Sequence, residues 1–551
     1  MKTLIIGGVA AGMSAATRLR RLREDSEIVV FEMGENVSYA NCGLPYFISD
    51  VIDNRNSLLL QTPESLNRRF KLDVRVRSMV TAIDPKAKRV EVLNLDNNTK
   101  YSEPYDFLVI TTGAKPRRLS IPGFDRALVL RDVADADRLK QAVELAIEEK
   151  DKSAVVLGAG FIGVEVAENL TKLGFKVSMV QRSQTILPGF DSEMIEPLQQ
   201  RLEANGIELI LNSEVEELDS TSVFLKDGRR LPAAVVVSAI GVEPDNALAQ
   251  ASGLRIGKTG GLWVDHQQRT SDPNIFAAGD AVEKNGMLTG DGALIPLANL
   301  ANRHGRLIAD VISGLNVTAH ASLGTAIVGA FGMAIAKTGM SEREAKSAAI
   351  DYRVVHVHPS NHAGYYPGAS RVSLKLIFDI NSGSLIGAQA VGMDGVDKRI
   401  DVLATAIYAG LKVDQLMDLE LAYAPQFGSA KDAVNMLGYA ASNVLHGTTP
   451  TVQWGDLDAA IESGATLVDV RTDAENKAGA IPNSLLIPID ELRERLSEIP
   501  KEDVIVHCAV GQRGHIATQI LQAHGYKVRN LDGGYVTWKS GQDAKSRVSA
   551  R

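Results

Sequence analysis

Only two cysteines, Cys42 and Cys508, occur in 551 residues. That scarcity excludes a disulfide-built scaffold and makes a reducing, cytoplasmic compartment the default expectation. A positive charge balance is also missing: the formal net charge of −8 disfavours nucleic acid or an anionic membrane as partner. No apolar run reaches the ~18 residues of a membrane span. The opening Met1-Lys2-Thr3-Leu4-Ile5-Ile6-Gly7-Gly8 is too short an apolar stretch for a signal peptide and reads as a strand entering a glycine turn. Low-complexity tracts are absent, and aromatics make up only 5%. The remaining composition is that of an ordered globular chain, long enough for three or four domains.

The two cysteines differ in setting. Cys42 lies in Ser38-Tyr39-Ala40-Asn41-Cys42-Gly43-Leu44-Pro45, shortly after a glycine fingerprint, and Cys508 opens Cys508-Ala509-Val510-Gly511-Gln512-Arg513. Two inert core thiols or one structural disulfide would need neither context. The flanks instead read as a redox thiol joined to a sulfur-carrying thiol.

The glycine fingerprint occurs twice. Leu4-Ile5-Ile6-Gly7-Gly8-Val9-Ala10-Ala11-Gly12 echoes Val155-Val156-Leu157-Gly158-Ala159-Gly160-Phe161-Ile162-Gly163, each an apolar strand, a glycine turn and a small-residue helix. Such a turn brings backbone N–H groups and the positive helix end to a pyrophosphate. In the first copy Val9 stands where the middle glycine is usual. Glu32, 20 residues after Gly12, ends the next strand, where a carboxylate accepts from ribose hydroxyls. The equivalent strand of the second copy ends in Gln181-Arg182 instead. Losing the acid removes repulsion toward a 2′-phosphate and Arg182 can pair with one, so NADPH is expected to be used at least as well as NADH.

A third segment, Asn274-Ile275-Phe276-Ala277-Ala278-Gly279-Asp280-Ala281, follows Ile240-Gly241-Val242-Glu243-Pro244. With Thr111-Thr112-Gly113-Ala114, these segments resemble the pyridine nucleotide-disulfide oxidoreductases over about residues 1–442. The resemblance implies that the first fold holds FAD and the second NAD(P)H, with Asp280 on the ribityl chain. It assigns cofactor contacts to Gly7, Gly8, Val9, Ala10, Gly12, Glu32, Val80, Thr112, Gly113, Gly241, Asp280, Ala281 and Pro296. For the nicotinamide nucleotide it points to Gly158, Gly160, Phe161, Ile162, Gly163, Gln181 and Arg182. The expected architecture is α/β. It has a discontinuous FAD domain at 1–115 and 241–320, an NAD(P) domain at 116–240, and an α+β dimerisation domain at 321–445.

Many members of that family carry a Cys-x4-Cys pair, but Tyr46 follows Cys42 by four and Ser38 precedes it by four. A single redox cysteine exchanges with an external thiol or stores oxidation as a sulfenic acid. Relatives that use the sulfenate place a His on the first glycine turn, which here reads Val9-Ala10-Ala11. The loop from Ser38 to Pro45 resembles the branch that reduces coenzyme A disulfide or coenzyme A persulfide. That branch implies coenzyme A contacts from Ser14, Arg18, Arg21, Ser38, Asn41, Arg303 and Lys431. Its lysine near position 70 is replaced by Phe70, leaving Lys71 as the candidate. Independently, Ser14, Arg18 and Arg21 share one face of the first helix, which suits an anion or is simply a solvated basic stripe. The resemblance also implies a homodimer in which Tyr365 and Tyr423 reach the partner's site, although Gln426-Phe427 replaces a usual Pro-Tyr. His356, His358 and His362 cluster without a Cys or acid at metal spacing, so no metal is expected, and His-Val-His fits a half-exposed strand.

After the polar break His446-Gly447-Thr448-Thr449-Pro450, strands alternate with helical stretches as in a small α/β domain. Val468-Asp469-Val470-Arg471, Gly479-Ala480-Ile481-Pro482, His507-Cys508 and Leu531-Asp532-Gly533-Gly534 resemble a rhodanese domain at 451–545. A strand-to-helix loop points N–H groups at the sulfur, and Arg513 adds positive charge. A phosphatase relative needs a seven-residue loop; Cys508 to Arg513 spans six, which favours sulfur.

The expected enzyme thus passes electrons from NAD(P)H through FAD to Cys42, reducing coenzyme A disulfide, coenzyme A persulfide or polysulfide, while Cys508 supplies sulfane sulfur. The alternatives are an NAD(P)H oxidase or peroxidase cycling Cys42 through sulfenate, and a sulfur carrier or redox sensor. The expected partners are small thiol and persulfide substrates and a second copy of the chain.

Overall fold

The apolar runs Lys2–Ile6 and Glu27–Phe31 pair in parallel, as a strand, glycine turn, helix and strand in succession require. In the computed structural model, which describes residues 1–549, Phe107–Ile110 and Ile275–Ala277 extend this sheet on one side and Asp73–Arg75 on the other. Both faces are covered. Ile5 and Val30 pack with Ala15, Ala16 and Leu19 of the helix Ala10–Leu22, while Leu4, Ile6 and Val29 join Leu108 and Val92 on the opposite face. The period-2 alternation of a strand therefore buries every residue of both strands after the first, which is why these strands read as apolar runs.

The second fingerprint builds Ser153–Leu157, flanked in parallel by Lys176–Val180 and Val235–Ser238, with the helix Phe161–Lys172 following the turn. By contacts, Met1–Arg182 with Ser213–Gly324 form one unit, and Ser183–Asn212 joins the chain from Thr325 onward in a second. Thus the helix Ser192–Ala204, although it lies in sequence between two strands of the second nucleotide fold, is packed within the second unit.

That second unit holds two five-stranded sheets. One is antiparallel, with Tyr352–Val357, Val372–Asp379 and Leu385–Gly392 as successive neighbours. Leu385–Gly392 is buried along its whole length because the helices Val396–Tyr408 and Ser192–Ala204 pack on it. The other is parallel, with Val504–His507 between Thr466–Asp469 and Val528–Leu531. The fold is the mixed α/β architecture expected. One expectation needs correction: His356 sits on a buried strand, not a half-exposed one, because Asp532 and Thr537 of the C-terminal domain cover it. Among the described residues, no helix is long and apolar enough to cross a membrane.

Candidate active site

The first glycine turn is locked by its own backbone. Gly7 adopts φ +101°, and a Cβ on Gly12 would lie 1.9 Å from the Gly7 carbonyl oxygen, so helix and strand meet closer than any side chain permits. Thr111 donates its hydroxyl to the carbonyls of Ile6 and Gly7. Glu32 accepts from the N–H of Gly8 and of Gly34, each at 2.8 Å. The second turn repeats the device with different chemistry, because the Gln181 amide oxygen accepts from Ala159 N–H at 3.1 Å. Gly160 heads the helix Phe161–Lys172 without a side-chain cap, and a Cβ there would meet nothing within 4 Å. Its bareness clears space above the turn, as close approach of a pyrophosphate requires. Phe161, Ile162 and Arg182 stand exposed around it. These donor sets fit the two dinucleotides.

Other assigned residues divide. Asp280 lies on the turn Gly279–Ala281, with Gly279 at φ +84°. Gly113 and Gly241 take left-handed φ of +74° and +100°. The Thr112 hydroxyl is committed to the Asp245 carbonyl, and Val80 turns its side chain into the core, so both have only main chain to offer a cofactor. Pro296 stands in the segment leading to the helix Ala298–Ile312.

Cys42 is exposed on the short turn Asn41–Gly43 that leads into the helix Leu44–Ile48. Ser38, held at φ +48°, anchors the loop by donating its N–H to the Gly8 carbonyl. Tyr46, where a second cysteine would stand, donates its hydroxyl to Glu165 at 3.2 Å. Desolvation by the surrounding loop, followed by the charges of Glu165 and Asp280, pushes the Cys42 thiol above its ordinary value. Burial, with Glu168 nearby, raises Glu165 itself to about 6. Lys284, buried and bonded to the Gly279 carbonyl at 2.7 Å, falls to about 8 through burial. Sequence reasoning missed Glu165 and Lys284; only Glu165, inside the second fingerprint helix, carried a signal.

The basic face of the first helix is partly spent. Arg18 pairs with Asp310 at 2.7 Å and Ser14 donates to Asn302 at the same distance. Arg21 and Arg303 remain exposed, and Asn41 is half-buried. Phe70 packs on the core while Lys71 caps the helix Pro63–Phe70 in a left-handed conformation and faces solvent.

In the second unit Tyr365 and Tyr423 meet, hydroxyl to hydroxyl, at 3.2 Å and both are exposed. Their loops are stitched by Ala363 N–H to Gly428 O and by buried Arg399, which bonds both the Asn361 carbonyl and Asp432. Exposed Phe427 and Lys431 flank Tyr423 in the same loop. The histidines are engaged separately: His358 bonds Ser373 and Thr537, both at 2.7 Å, and His362 bonds the Ala363 carbonyl. Oxygens of Asp191, Glu193 and Glu342 do converge, but Lys375 Nζ contacts all three and supplies the cation.

Cys508 is wholly buried between the strand Val504–His507 and the helix Gln512–Ala523, whose first-turn N–H groups have no intrahelical acceptor. Gly511 turns the loop at φ +89°, and a Cβ on Gly534 would lie 2.5 Å from the Cys508 carbonyl oxygen. Arg513 is shared between Cys508 and Glu475, which it holds through two bonds of 2.6 and 2.8 Å. That pairing lowers Glu475 to about 2. The Thr472 to Glu475 capping box was the overlooked sequence signal for this carboxylate.

These features have counterparts in known proteins. The pyridine nucleotide-disulphide oxidoreductase model matches residues 1–305, the dimerisation domain of the same family 325–434, and the rhodanese-like domain 453–541. The chain belongs to the pyridine nucleotide-disulphide oxidoreductases. It is 35% identical over 446 residues to the coenzyme A disulfide reductase of Staphylococcus haemolyticus, covering 80% of this chain and 100% of that one. The structure of reduced Bacillus anthracis CoADR-RHD is 45% identical, with TM-score 0.95 and 98% of each chain covered. That of an NAD-dependent persulfide reductase from A. fulgidus is 36% identical, with TM-score 0.91, covering 98% of this chain and 100% of that one.

Proposed function

We propose that the chain is an FAD-dependent NAD(P)H oxidoreductase that reduces coenzyme A disulfide and coenzyme A persulfide at Cys42, with Cys508 supplying sulfane sulfur. The observation that carries this reading is the pair of free thiols, one exposed beside a dinucleotide turn and one buried in a strand-to-helix loop. The flavin, when bound, supplies the two-electron link between NAD(P)H and a disulfide. Cys42 thiolate attacks the inner sulfur of coenzyme A persulfide, forms a Cys42–coenzyme A disulfide and expels hydrosulfide. Two electrons and a proton then return Cys42 thiolate and release coenzyme A thiol. Tyr46 in place of a second cysteine leaves no resolving thiol in the loop. Desolvation, then the charges of Glu165 and Asp280, hold the Cys42 thiol above its ordinary value, and a neighbouring positive charge works in the opposite direction.

In this reading Arg21, Arg303, Lys71 and Lys431 meet coenzyme A phosphates, with Ser14, Arg18, Ser38 and Asn41 lining the same ligand. Tyr365 and Tyr423 serve the site of the second copy in a homodimer, consistent with their exposure. FAD takes the first turn and NAD(P)H the second, in domains spanning 1–115 with 241–320 and 116–240; dimerisation and rhodanese domains span 321–445 and 451–545. Arg182 accommodates a 2′-phosphate. Thiol chemistry of this kind suits the reducing cytoplasm.

Parallel steady-state assays with coenzyme A disulfide, coenzyme A persulfide, polysulfide and oxygen test the proposal. Turnover on coenzyme A substrates well above that on oxygen supports it. Oxygen or peroxide as the preferred oxidant would favour the sulfenate enzyme, and stable persulfide loading with negligible turnover would favour a carrier.

A further inference from the structure

His356 is held between two carboxylates. Its Nδ1 lies 2.6 Å from Asp532 Oδ2 and its Nε2 3.2 Å from Glu193 Oε1. A neutral imidazole has one N–H and one bare nitrogen, so one of these contacts would set lone pair against lone pair; an imidazolium donates to both. The neighbourhood demands the same. Facing His356 are Glu193 from the helix Ser192–Ala204, Asp532 from the C-terminal domain and Lys375 from the adjacent strand. Asp191 and Glu342 lie around Lys375, and His358, just past the strand end, feels the charges of His356 and Arg371. Four carboxylates against one lysine leave a buried excess of negative charge that a second cation reduces. Burial alone would depress this histidine, but Asp532 and Glu193 outweigh it and raise His356 to about 9.

Asp532 is more than a counter-ion. It also accepts from the His356 backbone N–H, through both oxygens at 3.1 Å, and it begins the turn Asp532-Gly533-Gly534-Tyr535. That turn backs the sulfur loop: Tyr535 N–H donates to the Cys508 carbonyl at 2.8 Å and Val536 N–H to the Ala509 carbonyl at 3.0 Å. His358 holds Thr537 one step further along. The dimerisation sheet therefore grips the segment on which the Cys508 main chain rests.

We infer that His356 is a doubly protonated positioning residue, which clamps Asp532 and thereby fixes the Cys508 loop for sulfur transfer. The inference rests on the sulfur-supplying role proposed for Cys508. Because the folded-state pKa lies above the ordinary 6.5, the clamp is fully present below about 6.5 and is lost as pH rises through about 9.

The test uses the full-length flavoprotein with histidine labelled in its ring nitrogens. At pH 7.5 the His356 resonances, assigned by their loss in His356→Gln, should show both nitrogens protonated, and Asp532→Asn should move the titration to lower pH. Sulfur transfer from inorganic polysulfide to cyanide should fall about tenfold in His356→Gln, with coenzyme A disulfide reduction unchanged. The wild type alone should lose transfer above pH 9. A neutral His356 at pH 7.5, a titration unmoved by Asp532→Asn, or unchanged transfer in His356→Gln each overturns the inference. Should His356→Gln fail to fold, Asp532→Asn carries both readouts. A wild type that transfers no sulfur would instead sink the role assigned to Cys508, and the nitrogen spectra would still decide the protonation of His356.

Discussion

Cys42 is exposed on a turn with two carboxylates nearby, whereas Cys508 is fully buried at the head of a helix with an arginine beside it. The difference follows from what each sulfur has to meet. A thiol that exchanges with a large external ligand needs an open face, and at Cys42 desolvation followed by two carboxylates disfavours the thiolate. A thiol that stores a sulfane sulfur needs shielding from stray thiols, and it takes stabilisation from loop N–H groups and a guanidinium.

The comparison breaks most directly by removing each sulfur. Cys42→Ser should abolish reduction of coenzyme A disulfide and persulfide, by about a thousandfold or more, with flavin retained. Cys508→Ser should abolish sulfur transfer from polysulfide and leave reduction of free coenzyme A disulfide intact. Loss of disulfide reduction in a folded Cys508→Ser protein would merge the two sites. Next in size is accessibility: alkylation by iodoacetamide, read by peptide mass mapping, should be at least about a hundredfold faster at Cys42 than at Cys508 in the native protein and comparable after unfolding.

The electrostatic half of the comparison predicts smaller effects. Glu165→Gln removes a charge that raises the Cys42 pKa, so alkylation at pH 7 should accelerate severalfold. The gain should vanish below about pH 6, where Glu165 is itself protonated. Equal acceleration at all pH values would show a steric cause. The two nucleotide turns give the last pair. Glu32→Ala should weaken flavin retention by about 1.5–3 kcal/mol through loss of charge-assisted bonds. Arg182→Ala should raise the KM for NADPH more than that for NADH, and an equal change for both would remove the 2′-phosphate role.

Local signals made much of this legible. Gly12 and Gly163 are required by contacts with the carbonyl oxygens of Gly7 and Gly158 at the start of the same turns, so strand-turn-helix units announce themselves in the sequence. The Cys508 loop is equally local, bounded by one strand and one helix. Long-range pairings were hidden. Nothing near Arg18 marks Asp310 as its partner, and nothing near Tyr46 marks Glu165, because each pair is closed by elements more than a hundred residues apart.

His356 shows the limit most clearly. Its alternating neighbours specify a strand, and the pattern alone gives that strand a wet face. Only the docking of the C-terminal domain covers that face, brings Asp532 and Glu193 to the two ring nitrogens and makes the imidazole a cation. By itself the sequence determined the two nucleotide turns, the lone redox thiol and the sulfur loop, since backbone sterics and short-range hydrogen bonds dictate them. Tertiary structure decided how deeply each thiol is buried and which charged groups stand beside it, because both depend on which distant groups packing brings within a few ångströms.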